Sequence, residues 1–181
     1  MEKVTENSPG QKKIERLLAF LRNHKEDRGV MANLRCALVE NKRYRAWPIL
    51  GRFGGIGEKF SEKTVQTIAG LYATHPKETD NGDFGALCRK LLSDEESKKL
   101  ASGTELGPLS RRFQHLLAAD KDEILDRIVR FVLRAKAEDI PVNYEQLYED
   151  LLAWEYRAEQ VRVRWARNFW VPEAKSEVEP S

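Results

Sequence analysis

The chain has 181 residues, of which 41% are hydrophobic and 33% charged, and its net charge is +2. That balance excludes a disordered chain and a strongly charged one, and the length suits one domain or two small packed lobes around a real core. The two cysteines, Cys36 and Cys88, read as free thiols, and they make no metal-site spacing with His24, His75 or His115.

No apolar run approaches the roughly 20 residues that span a bilayer. The first stretch, "MEKVTENSPGQKK", lacks the apolar centre of a signal peptide, so the expected compartment is the cytoplasm, with no membrane partner. In "IERLLAFLRNH", Ile14, Leu17, Leu18 and Leu21 recur at three and four residues and predict a helix. A second apolar pattern, "VMANLRCALV", follows Gly29. "AWPILGRFGGIG" reads as a short helix broken into a loop by Pro48 and the glycines after it. "SEKTVQTIAGLYATHP" predicts a helix capped by Ser61 and stopped before Pro76. "KETDNGDFG" is the expected mobile loop. "ALCRKLL" and "SDEESKKLAS" are short helical pieces.

"ASGTELGP" interrupts the pattern and divides an N-terminal lobe, residues 11–104, from a C-terminal lobe, residues 105–171. There "LSRRFQHLLAA" is amphipathic. Asp120 and Glu123 have capping-box spacing before "DEILDRIVRFVLRAKAED". Asn143 caps a last helix running from about Tyr144 to about Trp170, ended by Pro172. Residues 172–181 carry three glutamates against one lysine and are expected to form a disordered acidic tail. No alternating pattern predicts a strand. The fold class is all-α, two packed helical lobes.

On the last helix Leu147, Leu151, Trp154, Ala158, Val161, Trp165 and Phe169 share one face, the expected core stripe. Arg157 and Arg164 lie on a flank. Tyr156, Val163 and Trp170, spaced by seven, form a second apolar stripe suited to self-association or a partner. In the preceding helix Arg127, Arg130 and Arg134 line one flank, and Arg111 and Arg112 sit in the helix before it. Like charges at helical spacing repel, so they call for neighbouring carboxylates or an external polyanion. Arginine fits phosphate bidentately, and a basic groove on a nearly neutral protein suits a backbone-contacting nucleic-acid protein. The competing reading is a helical scaffold whose basic strips meet acidic protein partners.

Catalysis has little support. "GRFGGIG" lacks the strand and lysine of a phosphate-binding loop. His115 reads as a structural histidine, His75 as a residue favouring a helix C-terminus, and Glu149 and Asp150 as no acid–base pair. No nucleophile, metal site or cofactor site can be named.

From residue 14 to residue 170 the order of "ANLRCAL", "AWPILGRFG", "SRRFQHLLAADKDEILDRIVRFVLRAK", "IPVNYEQLYEDLLAW" and "VRVRWARNFW" resembles the small subunit of the type I-E CRISPR Cascade surveillance complex, the CasB family. The resemblance implies two helical lobes, no catalytic activity and no cofactor. Its implied partners are other Cascade subunits, a second copy, the CRISPR RNA–target DNA duplex and the displaced DNA strand, held open as an R-loop. By position, "SRRF" puts a basic pair at Arg111 and Arg112. "LRC" keeps Arg35, with Cys36 where the family tends to have a second basic residue. Lys59 and Lys63, beside the glycine-rich turn, complete the expected nucleic-acid-binding set.

Overall fold

The structure is a computed structural model, and it describes residues 8–103 and 105–171. The expected acidic tail lies outside the described residues. Nine α-helices are found among the described residues, together with three short 3-10 turns and no strand; one isolated bridge joins Glu78 to Val142.

Helix α1 (Pro9–Asn23) begins at Ser8, whose hydroxyl accepts from the Gln11 amide, and it buries Ile14, Leu17, Leu18 and Leu21. Asp27 caps α2 (Arg28–Arg35) in the same way. The glycine-rich segment holds α3 (Trp47–Leu50) and turns left-handed at Gly54. Helix α4 (Phe60–Thr74) is buried on all sides from Thr64 to Ala73, as its almost uncharged sequence allows, and forms the centre of the molecule. It starts one residue before Ser61: the cap is Lys59, whose amide donates to the Glu62 carboxylate at 2.9 Å. A side chain three residues on satisfies that amide, so Ser61 is not needed there. At the other end His75 donates its amide to Leu71, in keeping with its expected place at a helix C-terminus.

The segment Lys77–Asp83 is a strap, not a free loop. The Val142 amide donates to Lys77 O (3.0 Å), Thr79 donates to Val142 O (3.1 Å), and Asn143 Nδ2 donates to Gly82 O (2.9 Å). Arg22 binds both oxygens of Glu78. The turn-forming residues that suggested mobility place the backbone beside the connection between α8 and α9. The strap ends in Asp83, the cap of α5 (Phe84–Lys90). Ser93 caps α6 (Asp94–Ser102). Helix α7 (Pro108–Ala118) opens with proline in its first turn, and Glu96 of α6 accepts from its Leu109 amide at 2.8 Å. Asp120 accepts from the amides of Asp122 and Glu123, and the resulting turn delays α8 (Ile124–Ala137) by two residues.

Helix α9 (Tyr144–Trp170) is broken at Arg157, where φ is −138° and ψ 34°. The break is a sharp elbow. At 1.5 Å per residue, Asp150 and Arg164 would stand about 21 Å apart on a straight helix, far more than their side chains span. Instead Arg164 hydrogen-bonds Asp150, and Trp165 Nε1 donates to the same carboxylate at 2.6 Å. The rings of Trp154 and Trp165 lie 5.3 Å apart. The arms therefore fold toward one another and clasp Asp150, which is 2% exposed and also accepts from Gln146 at 2.9 Å. The core stripe survives the break, with Leu147, Leu151, Trp154, Val161, Trp165 and Phe169 buried and Ala158 half-buried.

The second arm is fastened to α5. Arg164 and Asn168 both donate to Asp83, Arg89 donates to the Phe169 carbonyl, and Phe84 packs on Trp165 at 5.1 Å. A Cβ on Gly85 would lie 2.7 Å from the Cα and carbonyl carbon of Trp165, so only glycine allows this approach. The chain crosses the expected division between α6 and α7, and buried side chains from both sides join one core, which runs from Ile14 to Phe169.

Candidate nucleic-acid interface

The arginines gather between α7 and α8. A helix places residues three and four apart on one face. Leu109, Arg112 and His115 of α7 thus look across at Arg127, Arg130, Phe131 and Arg134 of α8, lining a cavity of about 330 Å³. Its floor is apolar: Phe131 lies edge-on to Phe113, ring centres 6.5 Å apart, and Phe113 stacks on Phe169 at 4.0 Å.

Two of the four guanidiniums are partly neutralised along their own helix. Arg127 Nη2 pairs with Glu123 at 2.9 Å and Arg134 Nε with Glu138 at 3.1 Å. The Arg127 Nε is buried and has no partner among the described residues. Arg112 and Arg130 are exposed, and neither makes an ion pair or hydrogen bond among the described residues. The groove thus joins an apolar base, two uncompensated guanidiniums and two partly free ones. Chemically that suits a chain of phosphates with sugar or base edges against the floor.

Two contacts from the elbow of α9 fix the turn between α7 and α8. Arg162 donates to the Ala119 carbonyl at 2.9 Å while its guanidinium lies 4.9 Å from the Trp154 ring centre, and Lys121 pairs with Glu155 at 3.4 Å. Spacing along the last helix gives Arg162 no part in the basic flank. Its role depends on the elbow, which no spacing announces.

The remaining expected residues do not join this groove. Arg111, one residue and about 100° from Arg112, turns to Glu105 at 3.5 Å. Arg157 is exposed at the elbow itself. Arg164 lies outside the groove and pairs with Asp150 and Asp83. Partial burial works against its charge, but hydrogen bonding and attraction to Asp150, and then to Asp83, outweigh burial and raise its pKa. Arg35 donates Nε to the Ala73 carbonyl at 3.0 Å, closing the end of α4. Lys63 pairs with Glu58 at 3.1 Å, and Lys59 is the cap of α4. These two lysines line a separate, mixed-charge cleft of about 570 Å³ that also holds Glu40, Glu58, Asp122, Asp126 and Glu155.

The expected second apolar stripe is not continuous. The break at Arg157 separates Tyr156, 83% exposed, from Val163. Trp170 is partly buried, packed edge-on against Phe113 at 6.0 Å and Phe169 at 4.5 Å. Its packing on Phe113 and Phe169 supports the base of the groove. His115, read from the sequence as a structural histidine, is exposed in the groove. Its spacing from Arg112 was the available signal. Asp150 was likewise legible, because it sits between Leu147 and Trp154 on the buried face.

No cluster of His, Cys, Asp and Glu able to hold a metal occurs among the described residues, and no helix there is long and apolar enough to cross a membrane. Burial, and then the charge of Asp83, push the Cys88 thiol well above the usual range, which leaves it unreactive.

A family model described as CRISPR-associated protein Cse2 matches residues 30–170. The solved structures similar to this chain include CasB from Thermus thermophilus, at 24% identity and a TM-score of 0.68, with 91% of this chain and 99% of that one covered. A structure described as a CRISPR-associated protein of the Cse2 family, also from Thermus thermophilus, matches at 26% identity and a TM-score of 0.65, over the same shares. A chain of a CRISPR RNA-guided surveillance complex matches at 13% identity and a TM-score of 0.65, over 88% of this chain and 92% of that one. No curated protein matches the sequence. At such identities the structural likeness speaks for the helical fold.

Proposed function

We propose, from the premise that the chain belongs to the CRISPR-associated Cse2 family, that it is a non-catalytic small subunit of a type I-E Cascade surveillance complex. In this reading it contacts the backbone of the guide–target duplex and the displaced strand, and so favours the open R-loop. Its partners are the other subunits of the complex and a second copy of itself. Base pairing reads sequence in such systems, and strand exchange is nearly balanced, so modest backbone contacts are enough to tip it. The observation that carries the reading is the α7–α8 groove, where Arg112 and Arg130 present uncompensated charge beside Arg127 and Arg134.

The test is titration of the full chain against labelled single- and double-stranded DNA over a range of salt. Each phosphate contact contributes about 0.9 to the slope of log affinity against log salt on duplex and about 0.7 on single strands. Arg112→Gln with Arg130→Gln should lower the slope by about 1.4 to 1.8, across sequences alike, with melting unchanged. A folded double variant with an unaltered slope would make the groove a protein-facing surface and put the scaffold reading first.

A further inference from the structure

A second cationic pocket lies at the start of α1, and it shares no lining residue with the α7–α8 groove. Lys12, Lys13 and Arg16 of α1, with Arg52 and Gly54 of the turn after α3, surround a cavity of about 330 Å³. Pro9 and Phe53 complete the wall, and no carboxylate lines it. None of the four cations has an ion pair or hydrogen bond among the described residues. Glu15 lies on the same helix but does not line the pocket.

Three features of this arrangement favour an anion. Lys12, Lys13 and Arg16 sit within two turns of the α1 N-terminus, where the helix macrodipole is already positive and where the first turn holds no acidic residue. Lys12 and Arg16 are four residues apart, so they repel one another. Arg52 is held by packing: its guanidinium lies 4.9 Å from the Phe20 ring centre and 5.7 Å from that of Phe53, and these two rings are 5.2 Å apart. These ring contacts hold the guanidinium near the pocket, and its N–H groups make no hydrogen bond to other described residues, so they can take a bidentate acceptor. The Nζ of Lys13 lies against Gly54, 3.2 Å from where a Cβ would stand, so a side chain at this position would crowd the ammonium group.

We propose that this pocket binds phosphate groups of a nucleic-acid backbone, as a second contact separate from the α7–α8 groove. The proposal rests on the nucleic-acid reading above, but its residues are different, so the two can fail independently.

The experiment compares the full-length protein with Lys12→Gln/Lys13→Gln/Arg52→Gln and, in parallel, with Arg112→Gln/Arg130→Gln, on a labelled single-stranded DNA across a salt series. The pocket variant should lose about 2 units of salt slope, three contacts at about 0.7 each. Arg52→Lys, which keeps the charge and gives up the stack, should keep most of the slope, and this separates charge from packing. A fall in slope for the pocket variant alone supports the pocket and rejects the groove. A fall for the groove variant alone overturns the pocket and leaves the groove standing, and no change in either overturns both. A last arm uses inorganic phosphate. If it raises the melting temperature of the wild type but not of the pocket variant, while the DNA slope is the same in both, the site takes free phosphate and the backbone assignment is overturned.

Discussion

Replacing Asp150 by alanine tests the elbow of α9 directly. The carboxylate is 2% exposed and receives hydrogen bonds from Gln146, Arg164 and Trp165. Its loss leaves the Trp165 indole N–H buried without a partner, which costs about 1–3 kcal/mol. Breaking a fully buried ion pair costs about 3–5 kcal/mol. Here the Arg164 side chain is 46% exposed and keeps Asp83, so solvent screens much of that loss. The sum is about 2–4 kcal/mol, equivalent to a fall of roughly 5–15 °C in melting temperature for a domain of this size. Denaturant titration gives the free energy. Near-ultraviolet circular dichroism follows the paired Trp154 and Trp165 rings, which should lose their fixed geometry. Asp150→Asn can still accept from Trp165 through its amide oxygen and should fall between the two. An alanine variant that melts within about 1 °C of the wild type, with its aromatic spectrum intact, would refute the clasp and with it the fold-back of α9.

Four other outcomes are expected. Gly85→Ala drives a methyl group into the Trp165 backbone and should cost about 3 kcal/mol or more in denaturant titration, since backbone yields less than a side chain. Limited proteolysis should spare residues 77–83, because the strap is hydrogen-bonded to Val142 and Asn143; early cuts there would restore the mobile loop. Burial, and next the charge of Glu78, push the Tyr72 hydroxyl up to about 12, and burial raises Tyr148 as well. Unfolded tyrosine ionises near 10, so the stability held by these buried phenols is complete below about pH 10 and is lost as pH rises toward 12. Tyr148→Phe should be neutral or stabilising by up to about 1 kcal/mol, because the hydroxyl is buried with no partner among the described residues. It should also soften the alkaline loss seen in pH-dependent melts.

Periodicity carried most of the helical assignment, because apolar spacing records which face is buried whatever it is buried against. It placed the α9 core stripe correctly on both arms while missing the elbow between them. Nothing near Arg157 breaks a helix: no proline or glycine stands there, and the residues that hold the bend, Asp150 and Trp165, are fifteen apart. The stripe of Tyr156, Val163 and Trp170 does not run along one face for the same reason, since a seven-residue spacing has meaning only along an unbroken helix. In the groove, spacing grouped Arg127, Arg130 and Arg134 within α8. That Arg112 faces them, and that Arg164 does not, depends on which helices pack together. The strap was misread because glycine, asparagine and aspartate announce a turn without saying whether tertiary hydrogen bonds will hold it.

The position of the elbow also bears on when the fold can be completed during synthesis. Trp165 and Phe169 cover Phe84 and Phe113, yet they lie about eighty and fifty-five residues later in the chain. A growing chain makes α1 to α5 long before it makes the arm that seals them. Until then the apolar surface of α5 has nothing from α9 to cover it, and Asp83 caps α5 without Arg164 to balance its charge. A nascent chain paused ahead of the second arm would thus be open and prone to aggregate, and closure would come as one late step when that arm folds back.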